Sequence, residues 1–231
     1  HPSVAIGIEW LPRDVQPIID EWLNDQLDME DFLEKVDWQG RWGFPFGAYE
    51  ALFRWAKEHR IPVIALNAPT GLARRFGRVG PCGLSPTEQR AMPPLNTGNE
   101  DHRRYFLALM GRVHHHGGHH GGHNLTLKNP CPNEVNDKME RYYLAQTLRD
   151  EAMSQRVAEV LTDPQHPDRL LVVFAGVGHV EYGLGIPLRA QTLTQLPYHI
   201  VLPHRTGDVS VLNPAPRPRA DFLWEIPDSA P

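Results

Sequence analysis

The sequence has no run of apolar residues long enough to cross a bilayer. A spanning helix needs about 20 such residues, whereas the longest apolar run, near 170–177, has only the length of a strand. Positive charge is not in excess either, because 23 Lys and Arg stand against 28 Asp and Glu and give a formal net charge of -5. Non-specific binding to phosphate backbones needs a positive field. We therefore expect neither a membrane span nor nucleic-acid binding.

Cysteines and the short motifs of several enzyme classes are also scarce. Cys82 and Cys131 are the only two cysteines and lie among prolines and glycines, so one bridge and two thiols both stay open. The sequence contains no Walker or Rossmann glycine loop, no G-x-S-x-G and no H-E-x-x-H. It also lacks C-x-x-C-H, which excludes covalent attachment of a c-type haem.

Apolar runs of strand length alternate with segments of helical periodicity. This alternation predicts an α/β fold, with a mainly parallel sheet flanked by helices. We expect one domain over 1–213, with a His/Gly-rich insert at 114–123, followed by a proline-rich tail over 214–231 that is extended or lies at a sheet edge. The predicted buried strands are 3–10, 61–66, 170–175 and 198–202, and the predicted helices are 14–22, 29–36 with Asp28 as N-cap, 48–59, 101–113 and 134–161.

Three of the predicted strands end in residues that could carry chemistry. Glu9 follows the first strand, Asn67 follows the second, and Gly176 and Gly178 lead from the third to His179. Polar groups at the carboxyl ends of parallel strands gather around one crevice, so these residues predict a shared pocket. The plainer alternatives are that His179 only packs at a strand end and that Glu9 pairs with an arginine.

The predicted helix over 134–161 could border that pocket. Gln146, Asp150 and Met153 lie three to four residues apart and so share a face, with Tyr142 and Tyr143 one turn earlier. The alternative is a solvated face on which Asp150 pairs with a neighbouring arginine.

Two further segments have residues that could bind a ligand, one a flat apolar molecule and the other metal ions. The loop 38–46 places Trp42 and other aromatic residues beside Arg41, so it could cover a flat apolar ligand and meet its carboxylate, or it could simply close the core. The second segment is a tract of histidines and glycines that could hold zinc, nickel or copper loosely, or have no role. Its histidines are His114, His115, His116, His119, His120 and His123.

Five stretches in this order resemble the ChaN-like haem-binding family, of the superfamily that includes the Tiki and TraB proteins. They are AIGIEWLPRDVQPIIDEWL, VDWQGRWGFPF, IPVIALNAP, AQTLRDEAM and FAGVGHVEYGLGIPLR, and together they span 4–189. The resemblance implies an α/β fold with a helical lobe, haem binding and iron uptake, often at the bacterial envelope. The family-matching positions are Glu9, Arg41, Trp42, Asn67, Gln146, Asp150, Met153, Gly176, Gly178, His179 and Gly185.

The sequence departs from the family at its start. The family begins with a strand that ends in a G-E-x-H motif, and no such motif is present here. We expect that strand, and any signal peptide or lipid anchor, to lie before His1 or to have been processed away.

The leading hypothesis is a haem-binding, periplasmic or envelope-attached protein of haem or iron acquisition that is not an enzyme. Tyr105, Tyr142, Tyr143 and His179 are its candidate axial ligands, and Arg41 or Arg141 could meet the propionates. A second hypothesis is a metal-dependent hydrolase that uses His179 and Glu9. A third is a metal-binding envelope protein that uses the histidine tract, and homodimerisation stays open under each hypothesis.

Overall fold

A computed structural model describes residues 3–113, 138–205, 207 and 212–227. The chain divides into two compact units, one formed by His1–Leu72 and Ala152–Gly176 and the other by Ala73–Glu151 and Val177–Pro231. The strands are β1 Val4–Pro12, β2 Val63–Asn67, β3 Leu170–Phe174, β4 Val201–His204 and β5 Phe222–Glu225. The helices are α1 Gln16–Leu23, α2 Met29–Lys35, α3 Trp38–Arg41, α4 Gly47–Glu58, α5 Leu72–Val79, α6 Pro86–Ala91, α7 Glu100–Val113, α8 Lys138–Leu161, α9 Val177–Val180 and α10 Ile186–Thr194.

The first unit is built on a three-stranded parallel sheet in the order β2-β1-β3. Ile6 of the central strand is aligned with Val63 on one side and Val172 on the other. β1 is an almost continuous apolar run and is largely buried, as expected for a central parallel strand. Helices α1, α2 and α4 contribute apolar side chains to the same core, including Ile19, Phe32 and Phe53. The predicted α/β fold is confirmed.

β3 is less buried than the sequence predicts. It pairs with β1 alone, so it forms an edge of the sheet in the described part of the chain. Alternate residues of a strand face opposite sides, and Leu170, Val172 and Phe174 share a side that is 38–54% exposed. The prediction of a fully buried third strand was therefore wrong.

The second unit is the helical lobe, with a small sheet of its own. It contains nearly all of α5, then α6, α7, α9, α10 and the first half of α8, together with a two-stranded parallel sheet of β4 and β5. The segment predicted as the last buried strand, 198–202, instead supplies the start of β4, in which Val201 is 55% exposed. Its partner β5 comes from the proline-rich tail, so this pair is separate from the main sheet.

Several helices were not predicted from the sequence because their segments are rich in proline or glycine. α6 lies inside the proline-rich connection, where Pro86 occupies the first turn and Ser85 forms a capping box with Glu88. α10 begins in the same way, with Pro187 in its first turn. Proline is well tolerated at that position because its missing N–H has no partner inside the helix. Among the described helices, none is both long and apolar enough to span a membrane.

Candidate functional site

The predicted site residues fall into two sets, one in each unit. Glu9, Asn67, Arg41 and Trp42 belong to the first unit, as does Met153, which is completely buried. The second unit holds the remaining seven. The pocket predicted to join Glu9 and Asn67 with Asp150 and His179 therefore stays a prediction. The seven residues of the second unit are Tyr105, Tyr142, Tyr143, Gln146, Asp150, Gly178 and His179.

In the second unit, a buried carboxylate lies between two imidazoles. Asp150 is completely buried, and its Oδ1 lies 2.5 Å from Nδ1 of His179. Its Oδ2 lies 3.1 Å from Nε2 of His102, which is also completely buried. The Nε2 of Gln146 donates to the Gly178 carbonyl at 3.1 Å and lies 3.0 Å from His179 Nδ1. The predicted convergence of Gln146, Asp150, Gly178 and His179 thus occurs inside one unit.

The contacts continue from His102 to an arginine and a second carboxylate. Nη2 of Arg189 lies 3.3 Å from Nδ1 of His102, while Nε of Arg189 donates to Oε1 of Glu151 at 2.9 Å. All of these groups are at least nine-tenths buried. We call this series the buried polar chain. Its members in order are Glu151, Arg189, His102, Asp150 and His179.

The charge on Asp150 is stabilised by its two imidazole neighbours. Burial by itself raises the pKa of the Asp150 carboxyl, because desolvation disfavours the ionised form. The electrostatic attraction of His179, its hydrogen bond to Oδ1 and the close contact of His102 outweigh burial and hold the pKa of Asp150 well below its usual range. Asp150 is therefore an ionised carboxylate that can only accept hydrogen bonds.

Glycines allow the segment that carries His179 to fold tightly. His179 lies in the short helix α9, which follows β3 after only two residues. A Cβ at Gly185 would lie 2.2 Å from the His179 carbonyl oxygen, a distance that no side chain permits. The loop therefore requires glycine at 185, and the G-x-G-H…G-I-P pattern has a steric cause at that residue.

The three tyrosines predicted as candidate axial ligands differ in their exposure to solvent. Tyr105 is 1% exposed and donates to Oε2 of Glu181 at 2.8 Å, and burial raises its pKa well above the usual value. Tyr143 is also 1% exposed, and burial raises its pKa to about 12. Tyr142 is 37% exposed, and the Nζ of Lys138, one turn before it, lies 5.4 Å from the centre of its ring.

In the first unit, Glu9 and Asn67 meet at the carboxyl end of the sheet. Oε2 of Glu9 accepts a hydrogen bond from the backbone N–H of Gly176 at 2.6 Å. The side-chain amide of Asn67 donates to the backbone carbonyl of Glu9 at 2.9 Å. These contacts connect the ends of all three strands. The alternative, that Glu9 pairs with an arginine, stays a prediction.

Arg41 and Trp42 are held by neighbours within the first unit. The Arg41 guanidinium donates to the Thr70 hydroxyl, which in turn donates to Asp14 Oδ2 at 2.6 Å. Nε1 of Trp42 donates to the Tyr49 hydroxyl at 2.9 Å. The loop also contributes Trp38 to the core, so it closes the core at least in part.

The described residues contain no group of three or more His, Cys, Asp or Glu side chains arranged to hold a metal ion. The hydrolase hypothesis, which uses His179 and Glu9, stays a prediction. The histidine tract, His114 to His123, lies outside the described residues, so its predicted metal binding is untested. Cys82 is disulfide-bonded, and Cys131, the other cysteine of the sequence, also lies outside the described part.

Sequence reasoning missed three members of the buried polar chain. His102 lies on the buried face of α7 with Tyr105, Phe106 and the partly buried Leu109, which follow at helical spacing. A histidine within such an apolar stripe indicates a buried polar contact, so the sequence could have predicted the contact of His102. Arg189 and Glu151 carry no comparable signal, because arginine and glutamate are usual on exposed helix faces.

Comparisons with known proteins agree with this fold. The family model described as haem-binding uptake, Tiki superfamily, ChaN, matches residues 1–190. A solved structure, described as cofacial heme binding to ChaN of Campylobacter jejuni, superposes with a TM-score of 0.60 at 14% identity, covering 91% of this chain and 71% of that one. At such identity the likeness concerns the fold.

A curated protein with detectable sequence similarity comes from Arabidopsis thaliana. Protein RETICULATA-RELATED 5, chloroplastic, is 26% identical over 239 residues, which is 96% of this chain but 29% of that protein. The chain thus spans under a third of this relative. The family model covers most of the chain and agrees with the family resemblance of the five sequence stretches described above. The chain belongs to the haem-binding uptake family ChaN of the Tiki superfamily.

Proposed function

We propose that the chain binds haem in haem or iron acquisition, with the phenolate of Tyr142 as axial ligand to the iron. Family membership supports haem as the ligand. The choice of Tyr142 rests on one observation: among the four ligands that the sequence suggests, it alone presents more than a third of its surface to solvent.

Burial argues against the other three candidates. Tyr105 and Tyr143 are 1% exposed and His179 is 4% exposed, so the iron of a large flat ring could not reach them without local opening. The raised pKa values of Tyr105 and Tyr143 add a second cost, because a tyrosine ligates ferric haem as the phenolate. Tyr142 needs no such opening.

The surroundings of Tyr142 suit a ligand that carries carboxylates. The exposed ammonium of Lys138 lies beside the Tyr142 ring, where it could pair with a haem propionate. By contrast, a cavity of about 450 Å³ at the start of α7 is a poor haem pocket. It is lined by Asn96, Gly98, Asn99, Glu100 and Asp101, which offer acidic groups in place of apolar walls.

Haemin titration tests this proposal with a matched pair of variants. Tyr142→Phe removes the proposed ligand, whereas Tyr143→Phe removes the hydroxyl of the neighbouring buried tyrosine. Loss of the axial bond should weaken haemin binding at least about tenfold, equivalent to roughly 1.4 kcal/mol, and should shift the Soret band. Tyr143→Phe should bind like the wild-type protein.

The histidine tract needs a control because imidazoles also ligate haem. Each titration is therefore repeated after His114, His115, His116, His119, His120 and His123 are replaced by Asn. A Tyr142-dependent Soret band in this background supports the proposal. If haemin binding disappears with the tract and does not change in Tyr142→Phe, the proposal is wrong.

The cellular location is a separate proposal. We infer an envelope-attached or periplasmic site of haem uptake, because the family is one of haem-binding uptake proteins. The Arabidopsis relative is chloroplastic by name. Fractionation of native cells with an antibody against the chain tests the inference, and recovery of the protein in the cytosol alone would contradict it.

A further inference from the structure

Helix α5 presents two exposed arginines, Arg74 and Arg78, which lie one turn apart. Neither forms an ion pair or a hydrogen bond with another residue of the described chain, in contrast to their neighbour Arg75. We propose that this arginine pair binds a propionate of the haem that Tyr142 ligates, so that the haem lies across the contact between α5 and α8. The inference rests on the proposed function and adds to it a requirement for free carboxylates on the ligand.

Helices α5 and α8 approach each other closely at two small residues. A Cβ at Gly77 would lie 3.3 Å from Cβ of Ala145 and 3.9 Å from the backbone carbonyl oxygen of Arg141. Both residues of this contact belong to the second unit. Since Gly77 has no side chain and Ala145 has only a methyl group, no bulky side chain of these two residues separates the surfaces of the helices here.

On α5, the arginine pair lies on the solvent side of this contact. Helical spacing places Phe76 on one side of Gly77 and both arginines on the other. Phe76 is 1% exposed, so its side of the helix faces the core. Arg74 and Arg78 therefore line the opposite, exposed side.

On α8, Tyr142 also lies on the solvent side of the contact. Helical spacing places Leu148 on one side of Ala145 and Tyr142 with Lys138 on the other. Leu148 is completely buried, whereas Tyr142 and Lys138 are exposed. Because the buried sides of the two helices adjoin in the core, their exposed sides adjoin at the surface. The arginine pair and Tyr142 therefore border the same surface groove.

The charges along this groove have one sign. In α5 and the first half of α8, which the structure describes throughout, no acidic side chain is exposed. Helix α5 contains no Asp or Glu, and those of this half of α8 are buried: Glu140, Asp150 and Glu151. The chain as a whole has a net charge of -5, so this local positive surface does not follow from the overall composition.

The geometry of arginine suits the carboxylates of haem. A guanidinium presents parallel N–H donors that match the two oxygens of a carboxylate. Haem carries two propionates, and Lys138 beside the Tyr142 ring can pair with one of them. Arg74 and Arg78, on the other helix of the groove, are available for the second. A ring held in this way is fixed at its iron and at its edge.

Titration with two porphyrins tests the proposal on the full chain, in the background in which the six histidines of the tract are replaced by Asn. Haemin has two free carboxylates, and haemin dimethyl ester has none. The variant Arg74→Gln/Arg78→Gln should bind haemin about tenfold more weakly, as for the loss of a hydrogen bond between charged groups. It should bind the dimethyl ester as tightly as the protein that retains both arginines.

The matched control removes two charges from arginines that already have partners. Arg75 pairs with Glu88 at 2.9 Å, and Arg90 donates to the Thr87 hydroxyl at 3.2 Å. Arg75→Gln/Arg90→Gln should therefore change the affinity for haemin by no more than about twofold. Equal losses in the two double variants would overturn the proposal, because they would show a general effect of charge.

The remaining outcomes separate this inference from the proposed function. If haemin does not bind, or binds equally to Tyr142→Phe, the proposed function is wrong and the inference is wrong with it. If binding depends on Tyr142 but does not change in Arg74→Gln/Arg78→Gln, only the inference is wrong. Equal losses for haemin and its dimethyl ester would also overturn it, because the arginine pair would then not act on the carboxylates.

Discussion

At the scale of the residue, Asp150 organises the second unit. The sequence predicted that Gln146, Asp150 and His179 would lie together, because helical spacing and a strand end each point to one place. It did not predict His102 or Arg189. Their contacts join positions that are 48 and 87 residues apart in the chain (Asp150 with His102, and Arg189 with His102), and neither helical nor strand periodicity reports on pairs so distant.

The first prediction concerns the loss of the Asp150 charge. Asp150→Asn replaces an acceptor shared by two imidazoles with a group that has a single acceptor oxygen. Breaking a buried pair of this kind should lower the free energy of unfolding by about 3 kcal/mol, as measured by urea denaturation. The matched control is Asp101→Asn, which breaks only the exposed contact with Arg104 and should cost no more than about 0.5 kcal/mol. Equal costs would contradict the role of Asp150.

The second prediction is a pH dependence. The folded-state pKa of Asp150 is lowered below the unfolded value of about 3.9, so its contribution to stability is present above about pH 4. That contribution is lost as the pH falls toward the lowered folded-state pKa. In urea titrations between pH 5 and pH 2, the wild-type protein should lose more stability than Asp150→Asn. Parallel curves for the two proteins would show that Asp150 does not cause the dependence.

At the scale of the element, the sequence predicted strands and long helices better than short helices. α2 is the clearest success, because Asp28 caps it by accepting from the backbone N–H of Asp31 at 2.8 Å. α9 and α10 were missed because their segment is rich in glycine, and α6 because it lies among prolines. Glycine and proline also occur at helix boundaries, so a segment rich in them can be either a loop or a series of short capped helices.

The third prediction tests the cap of α2. Asp28→Ala removes the acceptor for the Asp31 N–H and should destabilise the first unit by about 1 kcal/mol. Asp28→Ser keeps a capping oxygen and should recover most of that loss. Thermal unfolding followed by circular dichroism measures both. A Ser variant as unstable as the Ala variant would mean that the carboxylate charge, and not the cap, stabilises the helix.

At the scale of the whole molecule, the family, the parallel sheet and the helical lobe could be predicted from the sequence. The role of the tail could not. The tail was predicted to be extended or edge-lying, which agrees with the strand β5, but no prediction covered Arg219, which contacts Oε1 of the buried Glu181. A single arginine in a proline-rich segment gives no sign that it will neutralise a buried carboxylate nearly 40 residues earlier.

The fourth prediction concerns that contact. Arg219→Gln leaves Glu181 buried with Tyr105 but without its cation, so the free energy of unfolding should fall by about 3 kcal/mol. Arg217→Gln, two residues earlier on an exposed part of the tail, is the control and should change stability by less than about 0.5 kcal/mol. Urea denaturation distinguishes the two. A small effect of Arg219→Gln would mean that the contact between Arg219 and Glu181 contributes little to stability.

The central claim is that haem binds through the exposed phenol of Tyr142. Resonance Raman spectroscopy of the ferric haem complex tests it most directly, because an iron–phenolate bond has vibrations that an iron–imidazole bond lacks. The wild-type complex should show these vibrations and the Tyr142→Phe complex should not, while Tyr143→Phe should retain them. An iron–imidazole spectrum from the wild-type protein, unchanged in Tyr142→Phe, would contradict the account.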